Sequence, residues 1–242
     1  MGMPRCASAA NNMQPDQKVV RTAGLLYLTM IVGTGAAYYN TMTLTAGDPA
    51  AVFAKLRESQ LLFELAILGF AIGLTAFVFL GLWLYRLFRQ VDEAMATVLL
   101  VLVSVHAAIS LVGLAPLMDA LTLVRGALLI DSGQMAGQVA LSVLSFNTIW
   151  RVSFIFSGLW LFPLGWLVYR CGFLPKFVGI AAMVGSASYV LAFVGWVMNP
   201  DYDASLIGQI IGVISGLPSL IGEMGTCISL LVTGFRRPKS VT

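Results

Sequence analysis

What most constrains this chain is how its charges are withheld from six long apolar stretches and gathered into the short joints between them. An apolar run of about 20 residues spans a hydrocarbon core as helix. Helix is the form such a run must take, because lipid offers no partner for an exposed backbone N–H or C=O. The strand-like alternation over about 10 residues that marks a membrane barrel is missing. Composition agrees: 59% of the 242 residues are hydrophobic and 10% charged, against about 25% charged in a soluble domain. The sequence therefore predicts an all-α fold, a polytopic membrane helix bundle of six transmembrane helices.

Residues 1–18 are polar, with Pro4, Pro15, Asn11 and Asn12 and no apolar core of a signal peptide, and read as a disordered cytoplasmic tail. The six-helix domain occupies 19–236, with helices over about 22–44, 60–85, 94–118, 146–169, 177–198 and 206–235. Residues 51–59 suit a short amphipathic helix at the interface. Residues 120–145, which include Arg125, read as an extracytoplasmic loop with an interfacial helix. Pro218 lacks a backbone donor and predicts a kink in the sixth helix. Residues 237–242 form a second cytoplasmic tail.

Six helices put Arg5, Lys18, Arg21, Arg86, Arg89, Arg170, Lys176, Arg236, Arg237 and Lys239 on one side. Lys55, Arg57, Arg125 and Arg151 fall on the other, among Asp48, Asp119, Asp131, Asp201 and Asp203. Basic loops stay in the cytoplasm, so both termini are expected there. The net charge of +3 thus reflects orientation, and no nucleic-acid partner is expected. Cys6, Cys171 and Cys227 have neither metal nor disulfide spacing and read as reduced thiols. The three helices returning inward end in an aromatic residue followed by arginine, at Tyr85-Arg86, Tyr169-Arg170 and Phe235-Arg236.

One basic turn is distinctive: Gly165-Trp-Leu-Val-Tyr-Arg-Cys-Gly-Phe-Leu-Pro-Lys-Phe-Val-Gly179. Together with Ala23-Gly-Leu-Leu-Tyr27 and Ile221-Gly-Glu-Met, it resembles the most regular motif of a bacterial membrane family called domain of unknown function 4386. The likeness covers nearly the whole chain after the tail. It implies a multi-pass protein of a bacterial inner membrane and supplies no catalytic residues. Trp160 stands where the resemblance leads one to expect a histidine, which weakens histidine-based chemistry.

Ionisable groups at membrane depth each cost about 2.5–3.5 kcal/mol on insertion scales, so Glu64, His106, Arg151 and Glu223 are the candidate polar network, with Asp119 at the outer end of the third helix. At a rise of about 1.5 Å per residue, Glu64, Arg151 and Glu223 should share a depth in the outer half. Arg151 could pair with one glutamate and His106 with Ser104 or Ser110, holding helices together. The functional alternative is an outward-facing pocket for a proton, an ion or an amphiphile head group. Small-xxx-small steps at Gly69 and Gly73, and at Gly208, Gly212 and Gly216, suit helix packing or a homodimer.

A single histidine cannot supply paired haem ligands or a His-rich di-iron site. No P-loop, H-E-x-x-H or G-x-S-x-G motif occurs, and no cofactor or metal is expected. Three functional classes remain. First is a non-enzymatic binder of a lipid-like molecule or membrane partner in the bilayer. A small proton- or ion-coupled transporter, supported by Pro218 and Glu223, and a lipid-modifying enzyme follow.

Overall fold

The computed structural model describes residues 16–126, 131–199 and 201–235. The expected tails up to residue 15 and over 237–242 lie outside the described residues. Helix α1 is Gln17–Leu44, α2 Pro49–Glu58, α3 Gln60–Phe88, α4 Glu93–Val112, α5 Ala115–Val124, α6 Ser132–Arg170, α7 Lys176–Met198 and α8 Leu206–Phe235. Among the described residues, six stretches are long and apolar enough to cross a membrane: Gln17–Leu44, Gln60–Phe88, Glu93–Val124, Gln134–Arg170, Lys176–Met198 and Leu206–Phe235. The chain is an all-α, multi-pass membrane protein.

Two expectations need correcting. The third helix does not run on to residue 118: it stops at Val112 and restarts at Ala115, with a proline in the new first turn, where a missing N–H costs nothing. Residues 120–124 and 132–145 are helical, where a loop with one interfacial helix was expected. Helix α5 continues to Val124, and α6 begins at Ser132 instead of near Phe146. Its first turns carry Gln134, Gln138 and Ser142, yet they bury Ala136, Val139 and Val143.

The chain gathers into two compact units, and α1, α3, α4 and α6 contribute a part to each. One unit comprises Thr29–Val78 and His106–Ser153. Its core holds Phe63, Phe70, Leu117, Val139 and Phe146, with Trp150 against it. The Phe70 ring centroid lies 5.5 Å from Phe146 and 5.2 Å from Trp150. Apolar burial drives little association in lipid, so close packing must supply the attraction, and the glycines provide it. A Cβ on Gly33 would lie 2.9 Å from the Gly69 carbonyl oxygen, and one on Gly73 would lie 2.8 Å from Thr34 N. Gly69 and Gly73 therefore pack α3 on α1. Helix α2 is capped by Asp48, which accepts from Ala51 N at 2.9 Å, and it buries Val52 and Leu56.

The other unit takes the chain up to Leu28, Phe79–Val105 and all that follows Phe154. The distinctive basic turn lies in this unit, between α6 and α7. Gly165 and Gly179 meet so closely that a Cβ on either would lie 2.6 Å from the other's carbonyl oxygen. Between them Gly172 adopts φ +76°, a left-handed conformation that glycine enters without steric penalty. Similar contacts join α7 to α8, where a Cβ on Gly222 would meet Ala182 Cα at 2.6 Å, and α8 to α1, where one on Gly234 would meet Arg21 Cα at 2.7 Å. The three glycines at the start of α8 divide: Gly208 abuts the Tyr202 carbonyl, while Gly212 and Gly216 have nothing within 4 Å.

Arg86 and Arg170 lie over rings further back along their own helices than the tyrosine beside each in sequence. Arg86 lies 5.5 Å above Trp83 and Arg170 lies 4.2 Å above Trp166, three and four residues back. Those are the spacings that share a helix face, and the guanidinium is drawn to the ring face. Phe235 instead receives Arg21 from α1, at 4.6 Å.

Two outcomes follow from this packing. Gly179→Leu must displace backbone, and overpacking of this kind costs about 1–3 kcal/mol; thermal melting in detergent should fall clearly. Gly212→Leu meets open space and should leave melting within about 0.5 kcal/mol of the parent. Cys171, in the turn and buried, has its thiol pushed above the usual range by burial, partly offset by hydrogen bonds from the Phe173 and Leu174 backbone. The folded state thus holds this proton more tightly, a stabilisation complete below about pH 8.5 and lost as pH rises through the folded value. In a Cys6→Ser, Cys227→Ser background, maleimide labelling at neutral pH should be much slower folded than denatured.

Candidate functional site

Glu223 lies on α8 one residue after Gly222, whose contact with Ala182 brings the backbones of α7 and α8 together. That approach sets Tyr189 of α7 against the acid, and its hydroxyl donates to Glu223 Oε1 at 3.0 Å. One turn earlier, the Ser219 hydroxyl donates to the Gly185 carbonyl at 3.2 Å and lies 3.4 Å from Ser188 Oγ. Ser188 also donates to the Gly185 carbonyl. Tyr27 closes the group from α1. It is 0% exposed, sits within electrostatic reach of Glu223, Tyr189 and Cys227, and its hydroxyl has no hydrogen-bond partner. Such a group forfeits about 1–3 kcal/mol of solvation, so a buried phenol within electrostatic reach of a carboxylate calls for explanation.

Aromatic rings continue from the acid. Phe154 of α6 stands edge-on to Tyr189 at 5.3 Å and 67°, and to Trp196 at 5.0 Å and 77°. Phe154, Tyr189, Trp196 and Glu223 are all half-buried, whereas Tyr27, Ser188 and Ser219 are buried. The acid thus has hydroxyls behind it and reachable rings beside it. Among the described residues, no arginine or lysine forms an ion pair with Glu223, and no three His, Cys, Asp or Glu side chains converge as metal ligands would.

The other anticipated residues are placed differently. Glu64 belongs to the Thr29–Val78 and His106–Ser153 unit. Its ion pair is with Arg125 of the α5 terminus, at 2.9 Å, and Gln60 donates to the same oxygen at 2.7 Å. Glu64 thus has Arg125 as its partner, at the end of the helix that restarts at Ala115. Arg151 and Asp119 are exposed on α6 and α5. His106 packs edge-on to Phe77 at 5.3 Å. It does not bond Ser110, whose buried hydroxyl has no partner, and Ser104 donates to the Leu100 carbonyl at 2.8 Å.

A family model described as Domain of unknown function (DUF4386) matches residues 22–234. The chain belongs to the DUF4386 family. It is also similar to an uncharacterized protein of Archaeoglobus fulgidus, 38% identical over 47 residues, which are 19% of this chain and 29% of that protein. No solved structure matches. Two of the segments through which the sequence resembles DUF4386, Ala23–Tyr27 and Ile221–Met224, supply Tyr27 and Glu223 to one site. Tyr27, Tyr189, Ser188 and Ser219 were missed because tyrosine and serine are ordinary in a span. The available signal was a polar side chain inside each of two distinctive apolar segments.

If nothing occupies the site, Tyr27→Phe removes an unsatisfied buried hydroxyl and should raise stability by about 1 kcal/mol, read as a higher melting temperature of delipidated protein.

Proposed function

We propose that this DUF4386 protein is a non-enzymatic membrane protein that binds a lipid-like small molecule through the polar group around Glu223. The observation that carries the reading is a buried, unpartnered Tyr27 hydroxyl within electrostatic reach of Glu223, whose side-chain hydrogen-bond donor among the described residues is Tyr189. A pair meant only to tie helices together would satisfy its own polar atoms, as buried groups nearly always are. A bound head group supplies the missing partner.

In this reading both termini face the cytoplasm and the protein sits in a bacterial inner membrane. The support is the bias of Lys18, Arg21, Arg86, Arg89, Arg170 and Lys176 to one set of helix ends, with three arginines and Lys176 lying over aromatic rings. Proton- or ion-coupled transport is the second reading, and one observation favours it. Pro218 lies inside α8 five residues before Glu223, so the segment carrying the acid lacks one backbone hydrogen bond and can bend.

Native mass spectrometry of the gently solubilised protein tests the choice. A small amphiphile should travel with the parent and be lost from Glu223→Gln. Retention of the same molecule at equal occupancy in Glu223→Gln would end the binding reading at this site. Proton flux in proteoliposomes, abolished by the same substitution, would move the assignment to transport.

A further inference from the structure

We propose that the α3–α4 and α6–α7 turns together bind an anionic phospholipid, its phosphate held by Arg86, Arg89, Arg170 and Lys176. The site is separate from the one around Glu223. The ring of Phe88, at the end of α3, stacks on Phe173 of the basic turn, with centroids 6.2 Å apart and planes 16° from parallel. That contact sets two turns side by side within one compact unit. One carries Arg86 and Arg89 and the other Arg170 and Lys176, and all four are exposed. Like charges gathered in this way repel, and an anion between them turns repulsion into attraction. Among the described residues no carboxylate pairs with any of the four. The acids of the α3–α4 turn serve α4 instead. Asp92 accepts from Met95 N at 3.1 Å and Glu93 stands in the first turn of that helix, where the helix dipole favours negative charge.

Two of the cations are already held in position. Arg86 lies 5.5 Å over Trp83 and Arg170 lies 4.2 Å over Trp166. Stacking engages the flat face of a guanidinium and leaves its N–H edges available. Those edges match the oxygens of a phosphate in bidentate pairs, and Lys176, 5.7 Å from the Tyr169 ring, adds a point charge. The orientation rule asks only that basic residues lie on one side of the membrane. It does not ask that two turns be joined ring on ring with their arginines fixed over tryptophans.

The apolar surface beneath the cations selects a lipid over a soluble phosphate. Lys176, Ile180 and Val184 follow one another at four-residue steps, so they share a face of α7, and Ile180 and Val184 are exposed. On α3 the exposed Phe79 and Leu82 lead up to Arg86 at steps of three and four. The exposed Phe162 stands two four-residue steps below Arg170 on α6. Each of these cations therefore heads an apolar stripe of its own helix. A head group between the turns leaves its acyl chains lying along those stripes, which is how basic pockets between spans take anionic lipids.

Native mass spectrometry tests this on the delipidated full chain in uncharged maltoside micelles containing dioleoyl phosphatidylglycerol and dioleoyl phosphatidylcholine at equal mole fraction. The parent should retain the anionic lipid at least tenfold over the zwitterionic one. Arg89→Gln with Lys176→Gln, both on the surface, should cut that preference at least fivefold. Lys55→Gln with Arg57→Gln removes the same charge from the other unit and should leave the preference within twofold, as should Glu223→Gln. Equal retention of both lipids by the parent would overturn the site without any variant. Equal losses in the two double variants would overturn it too, leaving net charge as the cause. Displacement of phosphatidylglycerol by glycerol 3-phosphate at comparable concentration would overturn the lipid assignment in favour of a soluble phosphate.

Discussion

The structure depends on backbones brought within touching distance where there is no water to push them together. In a bilayer, dispersion contacts and hydrogen bonds must supply what apolar burial supplies in solution. The glycines and small residues of α1, α3, α6, α7 and α8 meet that need. Gly165 faces Gly179, Gly222 faces Ala182, and Gly73 faces Thr34. Each removes the one methylene layer that would otherwise hold two helices apart. The bulky side chains are then free to point into each unit's core or outward to lipid.

The same closeness makes the candidate site. Tyr189 reaches Glu223 because Gly222 lets α8 lie against α7, and Tyr27 arrives because Gly24 packs on Leu231, while Cys227 donates to the Gly24 carbonyl at 3.9 Å. The polar groups are therefore held by packing that involves none of them directly. A carboxylate, two phenols and two serine hydroxyls sit on three helices in one unit, with half-buried rings alongside.

Much of the architecture was legible in the chain, and the reasons are physical. Hydrocarbon thickness fixes a minimum run length, so the spans announced themselves. The misreadings came where that rule is silent. The first turns of α6 carry Gln134, Gln138 and Ser142, polar enough to be taken for loop, but Ala136, Val139 and Val143 recur at spacings of three and four and face the core. Within the site, Glu223 stood out because charge is expensive in lipid. Its companions did not, because a phenol or a serine hydroxyl in a span has many uses. The Arg125–Glu64 pair was not legible, because the restart at Ala115 was hidden inside one continuous apolar run, where sequence alone reveals no break.

The contact between α1 and α8 bears on how the site is made. Arg21 donates to the Gly234 carbonyl at 3.4 Å and lies over Phe235, joining residues 213 positions apart along the chain. Translation produces α1 well before α8, so Gly24 and Tyr27 enter the membrane without the residues that later cover them. The arrival of α8, carrying both Leu231 and Glu223, is therefore the step that brings the acid and its surroundings together.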